Sequence, residues 1–392
     1  MSAAVDHVVV GGGVMGAAAA WQLARRGRDV VLLERFGPGH AHGASHGSGR
    51  IYRTTYAQSD YLDLAQEALP LWSAVADEAG VAPVLKHTDG ISHGGAAADE
   101  VAEALRARGV LARWVEPAEA AERWPGLRFE TRVLHESRTA GRLHADRAVA
   151  ALQEAARAHG ADVRHDTAVT GLVDVPGGVL VRTTTDEVVA RSVVVAVGAW
   201  TQRLLTGAGA GLADAAAVAD GLPSLVVTQE QPAHFALRTA APTPESWPVF
   251  THQPLDPGGW PSGTYGLVDP VEGLKIGFHG VGPVTDPDRR TYEPEPGQLA
   301  RLRDYVRTWV PGADPDSFEP VSCTYTTTPD HDFVLDRRGR VVVAAGFSGH
   351  GFKFAPAVGR VLADLATEDP DGPTRAAAAR FALHRTALPA RT

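Results

Sequence analysis

The stretch VVVGGGVMGAAAAWQLARRGRDVVLLE, residues 8–34, decides the fold. Its first three residues, 8–10, are an apolar run that predicts a strand, and a glycine-rich turn follows at 11–16. Residues 17–26 predict a helix, and the apolar run at 30–33 predicts a second strand. A strand, a tight glycine turn, a helix and a strand in this order form a βαβ unit, the opening of a Rossmann-like nucleotide-binding fold.

The glycines Gly11, Gly13 and Gly16 have the GxGxxG spacing of a dinucleotide-binding turn. Gly11 permits the tight turn, Gly13 lets backbone N–H groups approach a pyrophosphate, and Gly16 lets the helix pack on the sheet. Glu34 closes the second strand, where a carboxylate can bind a ribose 2′-hydroxyl. Since an acid there disfavours a 2′-phosphate, the unit favours FAD or NAD over NADP and leaves those two undecided.

The rest of the chain indicates that this nucleotide-binding fold is split. Residues 193–197 and 341–345 are continuous apolar runs, as expected of strands buried on both faces. Between them, residues 221–293 combine β-branched and aromatic side chains with many Pro and Gly residues, which predicts antiparallel strands. The small residues of 206–220, TGAGAGLADAAAVAD, predict a loop or linker.

We therefore predict an α/β protein in which a discontinuous, Rossmann-like cofactor domain carries an α+β substrate domain with an antiparallel sheet. The predicted cofactor domain comprises residues 1–85, 145–220 and 325–385, and the predicted substrate domain comprises residues 86–144 and 221–324. Residues 386–392 are predicted to be a tail.

Composition excludes several functional classes. The 392 residues carry a net charge of −9, which disfavours nucleic acid or an anionic membrane as the main partner, since both require a basic face. No apolar run reaches the roughly 18 residues of a membrane-spanning helix. The N-terminus has no basic region followed by a long apolar core, so we expect no signal peptide and a cytoplasmic protein. One cysteine excludes an internal disulfide and a multi-cysteine metal site, and we expect no metal.

The basic residues are strongly biased towards arginine. The 37 comprise 34 Arg and only three Lys, at Lys86, Lys275 and Lys353. In such a chain a lysine marks a position where arginine does not serve equally well, because lysine is a compact point charge and arginine a planar fork. Cys323 is the only cysteine of the chain, so its position also calls for a specific explanation.

Four further motifs carry a family resemblance. They are GASHGSGRIYR (residues 43–53), GLKIGFH (273–279), SCTYT (322–326) and GFSGHGFKF (346–354). In this order the sequence resembles the family of monomeric sarcosine oxidases and N-methyltryptophan oxidases, within the D-amino-acid-oxidase-like FAD-dependent oxidoreductases. The resemblance spans nearly the whole chain, and it implies FAD as the cofactor.

The resemblance implies that FAD is covalently attached. Cys323 matches the cysteine that, in the family, carries the flavin through a thioether to the 8α-methyl group. The alternative for Cys323 is a small buried apolar residue, a common role of free cysteine. Other positions implied to bind the cofactor are His46, Val169, Gly198, Gly346, Gly349 and Gly351.

The resemblance also implies catalytic and substrate-binding residues. Lys275 matches the lysine at which the family activates O2, and an ammonium can stabilise negative charge that develops on O2. Arg53 and Lys353 match the pair that binds the substrate carboxylate. Arg50, Tyr265 and His279 are implied as catalytic residues and Tyr325 as a pocket residue, with interior packing as the alternative for the tyrosines and the histidine.

These residues imply a flavoprotein oxidase that converts the C–N bond of a secondary, N-methyl or cyclic α-amino acid to an imine and reduces O2 to H2O2. The segments 228–234 and 252–262 depart from the family pattern, so the substrate side chain stays open. An amine dehydrogenase or a tailoring oxidase for a bulkier amine is one alternative. A flavin-binding subunit or redox sensor without turnover is another, although it would need neither Arg53 nor Lys353. We expect a monomer with a small amine or amino acid and O2 as its partners.

Overall fold

The structure is a computed structural model that describes residues 4–238, 243, 246–256, 258–367 and 379–385. The predicted tail lies outside these residues. Within them, the strands form two eight-stranded sheets and two small sheets of two and three strands. The nine α-helices of the described residues are α1 (Val14–Arg25), α2 (Ser59–Glu78), α3 (Asp99–Ala107), α4 (Pro117–Arg123), α5 (Ala145–Ala158), α6 (Thr201–Thr206), α7 (Ala213–Gly221), α8 (Pro296–Trp309) and α9 (Ala355–Ala366).

The first large sheet, here the cofactor sheet, contains the predicted βαβ unit. Its strands are β1 (Val5–Val10), β2 (Val30–Leu33), β9 (Asp162–Arg164), β10 (Val169–Val175), β11 (Gly178–Thr183), β12 (Glu187–Val195), β20 (Val334–Arg338) and β21 (Val341–Ala345). β1 lies between β2 and β12 and is parallel to both, and β21 is parallel to β12. The sheet thus joins three distant stretches of chain, and the predicted α/β class is confirmed.

The second large sheet, here the substrate sheet, is mostly antiparallel. Its strands are β5 (Gly90–Gly94), β6 (Ala112–Val115), β7 (Val133–Glu136), β14 (Ala233–Leu237), β15 (Val249–Gln253), β16 (Thr264–Asp269), β17 (Gly273–Phe278) and β18 (Ala313–Pro320). Their spatial order is β18-β14-β17-β16-β15-β5-β7-β6, and only the β15–β5 pairing is parallel. Apolar side chains of this sheet and of α8, among them Phe235, Phe250 and Tyr305, form its core.

Two small sheets connect stretches of chain that lie far apart in sequence. One pairs β13 (Val226–Glu230) with β19 (Cys323–Thr327), and the other contains β3 (Arg50–Tyr52), β8 (Gly141–Leu143) and β4 (Leu85–His87). The boundaries predicted after residues 85 and 324 fall inside β4 and β19. The division into domains stays a prediction.

The prediction of a loop over 206–220 is wrong in its second half, where α7 forms. Alanine has the highest helix propensity of all residues, and it supplies five of the nine residues of this helix. Ala215 and Val218 are buried against the cofactor sheet, so packing adds to the propensity. Small residues thus favour a helix here because they also allow close packing.

Close helix packing supports the glycine turn. α1 is buried along almost its whole length, and its alanines let α9 approach it closely. Gly359 of α9 lies where a Cβ atom would be 2.5 Å from the backbone oxygen of Ala18. No helix of the described residues has the length and apolar character needed to cross a membrane.

We expect Gly359→Ala to lower the free energy of unfolding. The added methyl group collides with the α1 backbone, and such overpacking costs about 1–3 kcal/mol, which outweighs the helix propensity of about 1 kcal/mol that alanine gains. Urea denaturation measures the change. The matched control is Gly259→Ala, since no atom lies within 4 Å of a Cβ there. Equal stability of the two variants would contradict the close packing of α1 and α9.

Candidate active site

A cavity of about 990 Å³ extends from the glycine turn of β1 to the pocket-facing side of the substrate sheet. Its wall includes every predicted site residue except Gly16 and His46. Apart from His46, the residues that the family resemblance implied therefore lie in one continuous space, although they come from stretches far apart in the chain.

The glycine turn is shaped for a close approach of backbone to ligand. Gly11 has a φ of +103°, and a Cβ atom there would lie 2.5 Å from the oxygen of Ala196. A Cβ atom on Gly16 would lie 1.8 Å from the oxygen of Gly11, so Gly16 serves the turn from behind the cavity wall. The N-terminus of α1 thereby opens directly onto the cavity, as the pyrophosphate of a dinucleotide requires.

Glu34 is held as an ionised acceptor at the same end. Its carboxylate accepts hydrogen bonds from the backbone N–H groups of Gly12 at 2.6 Å and Phe36 at 2.9 Å, and His40 Nε2 lies 3.4 Å away. Burial opposes ionisation, but these hydrogen bonds outweigh it and lower the pKa of Glu34. Val169 and Gly198 line this end as well. The turn and the carboxylate fit the adenosine diphosphate half of FAD.

Cys323 lies in the wall of the same cavity. The β13–β19 pairing sets it opposite Glu230, and its side chain is buried. Its Sγ atom lies 3.9 Å from Nη2 of Arg50, which also donates to the backbone oxygens of Ala44 and His46. The thiol therefore lies beside a positive charge that backbone oxygens hold in place.

Strand alternation places Lys275 over the cavity. Lys275 and Gly277 share one face of β17, and His279 follows the strand. Tyr265 of β16 lies opposite Gly277, on the same face. Only 4% of Lys275 is exposed, and its Nζ lies 3.5 Å from the oxygen of Gly49. Burial and the nearby Arg50 lower the pKa of Lys275 to about 7.

An imidazole and two phenols line the space beyond Lys275. His279 Nδ1 lies 3.4 Å from the Tyr325 hydroxyl, and burial together with the charges of Lys353 and Arg53 lowers the pKa of His279 to about 4. Burial raises the pKa of both Tyr265 and Tyr325, so both phenols stay protonated. This part of the wall is therefore neutral near pH 7 and offers hydrogen bonds.

Buried Lys353 and half-buried Arg53 form a cationic pair that has no acidic partner among the described residues. Lys353 Nζ donates to Tyr56 Oη at 3.0 Å and to the oxygen of His350 at 2.8 Å, and the Arg53 guanidinium lies 4.7 Å from the Tyr56 ring centre. Neither cation forms an ion pair within the part of the chain that the structure describes. Burial and the charge of Arg53 hold the pKa of Lys353 well below its usual value. A carboxylate bound here would supply the missing negative charge.

Sequence reasoning missed Tyr56 and His350, which position Lys353. His350 Nε2 lies 3.2 Å from the oxygen of His331, so this nitrogen carries the proton and Nδ1 is an acceptor. The Tyr56 hydroxyl, 3.4 Å from Nδ1, therefore donates to His350 and accepts from Lys353. Both residues lie within three positions of a predicted cation, which was the only local signal for them.

His46 is placed behind the cavity wall. Its Nε2 is buried without a hydrogen-bond partner among the described residues. Burial and the charges of Arg50, Lys275 and Arg290 lower its pKa to about 3, so the ring is neutral. Its contact with a cofactor stays a prediction. Gly349 has a clear role, because a Cβ there would lie 2.2 Å from the ring of Tyr325.

The sequence and the overall fold are similar to those of known proteins. The family model described as FAD dependent oxidoreductase (DAO) matches residues 6–365. Monomeric sarcosine oxidase of Bacillus sp. strain NS-129 is 32% identical over 99% of this chain and 98% of its own, and peroxisomal sarcosine oxidase of Homo sapiens is 31% identical over 92% and 91%. The open form of NikD, an unusual amino acid oxidase essential for nikkomycin biosynthesis, superposes with a TM-score of 0.79 and 26% identity over the full length of both chains. The resemblance inferred from the motifs is confirmed.

We expect Tyr56→Phe to weaken the binding of acetate or benzoate to the flavin-loaded protein. Loss of a hydrogen bond to a charged group costs about 1.5–3 kcal/mol, or at least roughly tenfold in Kd. Perturbation of the flavin absorbance spectrum on titration gives Kd.

If Tyr56 acts through Lys353, its substitution has no further effect in a Lys353→Met background. Equal losses in both backgrounds would contradict the positioning role. The control is Tyr52→Phe, which removes another buried hydroxyl, bonded to the oxygen of Ala65 and outside the cavity wall.

Proposed function

The chain belongs to the FAD-dependent oxidoreductase family, and from this premise we propose that it oxidises the C–N bond of a secondary α-amino acid, N-methylated or cyclic, to an imine. The observation that carries the proposal is the pair of Arg53 and Lys353, which has no acidic partner within the described part of the chain and faces neutral His279 and Tyr325. A protein that only holds FAD has no use for such a pair. The names of the relatives support the substrate class, since sarcosine is N-methylglycine.

The carboxylate of the substrate would bind between Arg53 and Lys353, with Tyr56 fixing the direction of the lysine. The substrate nitrogen would then lie towards His279, Tyr325 and Tyr265, none of which carries a charge near pH 7. Two adjacent cations disfavour a protonated amine, because like charges repel in a buried site. The amine would therefore react with its lone pair free, and no side-chain base is required.

FAD, when bound, accepts a hydride equivalent from the carbon attached to nitrogen and passes two electrons to O2, which takes up two protons to give H2O2. The imine then hydrolyses in water. Lys275 would stabilise the negative charge that develops on O2, because its ammonium is buried in a place where water does not compete. Arg50 would hold a second positive charge near the same end of the cavity.

We also propose covalent attachment of FAD through Cys323. Three facts support it: Cys323 is the single thiol of the chain, it lines the cavity, and Arg50 lies 3.9 Å from its sulfur. Formation of the thioether removes one hydrogen from the thiol and one from the 8α-methyl group. O2, the oxidant of the proposed reaction, would accept these two electrons.

The remaining assignments are proposals of the same kind. The positions that would hold FAD are Gly11, Gly13, Gly16, Glu34, His46, Val169, Gly198, Gly346, Gly349 and Gly351. We further propose a monomer, which the names of the bacterial relatives support, acting in the cytoplasm, where a chain without disulfides needs no oxidising compartment.

Acid precipitation tests the covalent bond. We expect the flavin to stay with the precipitated polypeptide of the wild-type protein and to appear in the supernatant of Cys323→Ser, because serine cannot form the thioether. The absorbance of pellet and supernatant measures the distribution. Release of flavin from the wild-type protein would remove the covalent proposal and leave FAD binding through the glycine turn intact.

Stopped-flow mixing of reduced protein with oxygenated buffer tests Lys275. Removing preorganised charge stabilisation costs about 10²–10³-fold in rate, so Lys275→Met should slow reoxidation by that factor and change flavin reduction by substrate far less. The ammonium is charged below its pKa of about 7 and neutral above it, so the wild-type rate should fall as pH rises through 7. That fall should be absent in the variant. Wild-type reoxidation in Lys275→Met would show that O2 reacts elsewhere.

A further inference from the structure

One wall of the cavity contains polar groups that the proposed chemistry does not use. The pairings of β5, β15, β16 and β17 set Ser92, Thr251, Tyr265 and Gly277 side by side across the substrate sheet. Thr251 and Tyr265 both line the cavity, and residues directly opposite each other in an antiparallel pair have Cβ atoms about 5 Å apart. Thr251 is therefore an immediate neighbour of the predicted catalytic residue Tyr265.

The hydroxyl of Thr251 is oriented by Ser92. Their hydroxyl oxygens are 2.8 Å apart. In such a pair one O–H donates to the other oxygen, and the second O–H needs an acceptor elsewhere. Ser92 is only 2% exposed and has no other side-chain partner within the described residues, so a free O–H on Ser92 would be buried unpaired. That arrangement costs about 1–3 kcal/mol. Ser92 therefore donates, and Thr251 directs its own O–H into the cavity.

Gln253 adds a second polar group on the same face of β15. It lies two residues beyond Thr251 and lines the cavity, and its side-chain amide has no hydrogen bond among the described residues. Around it the wall consists of small residues, Ala96 and Gly263, which leave room for a ligand. His252, between the two, offers no free nitrogen, because Nδ1 lies 2.6 Å from Tyr305 Oη and Nε2 3.3 Å from Glu130.

We propose that the substrate carries a neutral hydrogen-bond-accepting group in its side chain, a hydroxyl, carbonyl or amide, which the Thr251 hydroxyl and the Gln253 amide bind. The group is neutral because this part of the wall, formed by Ala96, Thr251, Gln253 and Gly263, has no charged side chain. A wholly apolar side chain would leave the Thr251 O–H without an acceptor. The inference rests on the proposed function, since the carboxylate anchor and the reacting nitrogen fix where the side chain points.

Isosteric pairs of N-methyl amino acids, each in both enantiomers, test the proposal on the flavin-loaded enzyme. The pairs are N-methylthreonine with N-methylvaline and N-methylasparagine with N-methylleucine. Anaerobic reduction of the flavin gives the apparent second-order rate constant for each compound. We expect the polar member of at least one pair to react about tenfold faster, since a neutral hydrogen bond contributes about 0.5–1.5 kcal/mol.

Thr251→Val should reduce this preference to near unity, and Gln253→Leu should reduce it as an independent variant. Ser92→Ala should weaken it, because the Thr251 hydroxyl loses the donor that orients it. The matched control is Thr170→Val, on an exposed strand outside the cavity. Flavin content verifies that each variant is folded.

Two outcomes overturn the inference and leave the proposed function standing. The flavin is reduced with no preference for the polar compounds, or the preference survives in Thr251→Val. Failure of every compound to reduce the flavin, with N-methylglycine and proline failing as well, removes the proposed function and the inference with it.

Discussion

Four basic side chains that line one cavity and have no acidic partner among the described residues are the feature on which the rest of this structure depends. Arg50, Arg53, Lys275 and Lys353 all face one cavity, and none of them forms an ion pair within the described ranges. Many arginines elsewhere do pair, as Arg360 does with Glu67 and Asp364. A buried charge without a partner is unfavourable by several kcal/mol, and a fold tolerates it only where the surroundings hold it in place. Here backbone oxygens and the Tyr56 hydroxyl do so.

The two large sheets supply that rigidity in different ways. The cofactor sheet places the glycine turn by close contact of α1 with α9, so the position of the proposed pyrophosphate site depends on the close packing of two helices. The substrate sheet places side chains by strand register, which aligns Lys275, Tyr265 and Thr251 on one face. A slip by one residue in β17 would turn Lys275 away from the cavity, because alternate residues face opposite sides. Strand register therefore determines which side chains face the cavity, and it matters as much as the residue types themselves.

Local sequence patterns predicted those elements whose conformation depends on neighbouring residues in the chain. The βαβ unit could be read from residues 8–34, since strand, turn and helix each have their own pattern, and the family motifs brought nearly all the predicted site residues to the cavity wall. The roles of Tyr56 and His350 could not be read, because they depend on a hydrogen-bond chain that exists only after residues far apart in sequence meet. The predicted boundaries cut β4 and β19 for a similar reason, since strand pairing is set by partners distant in the chain. The failure over 206–220 shows that small residues alone do not distinguish a linker from a tightly packed helix.

The protonation state of Lys353 would couple the binding of a carboxylate to the uptake of a proton. In the empty cavity burial and Arg53 disfavour its ammonium form, whereas a carboxylate in contact with Nζ would favour that form. Between the two pKa values, association with an anion therefore takes up one proton from solution, and the observed affinity decreases by about tenfold for each unit by which pH rises. The site would thus bind the anion and a proton together, a neutral pair, and the cavity would gain no net charge when it fills.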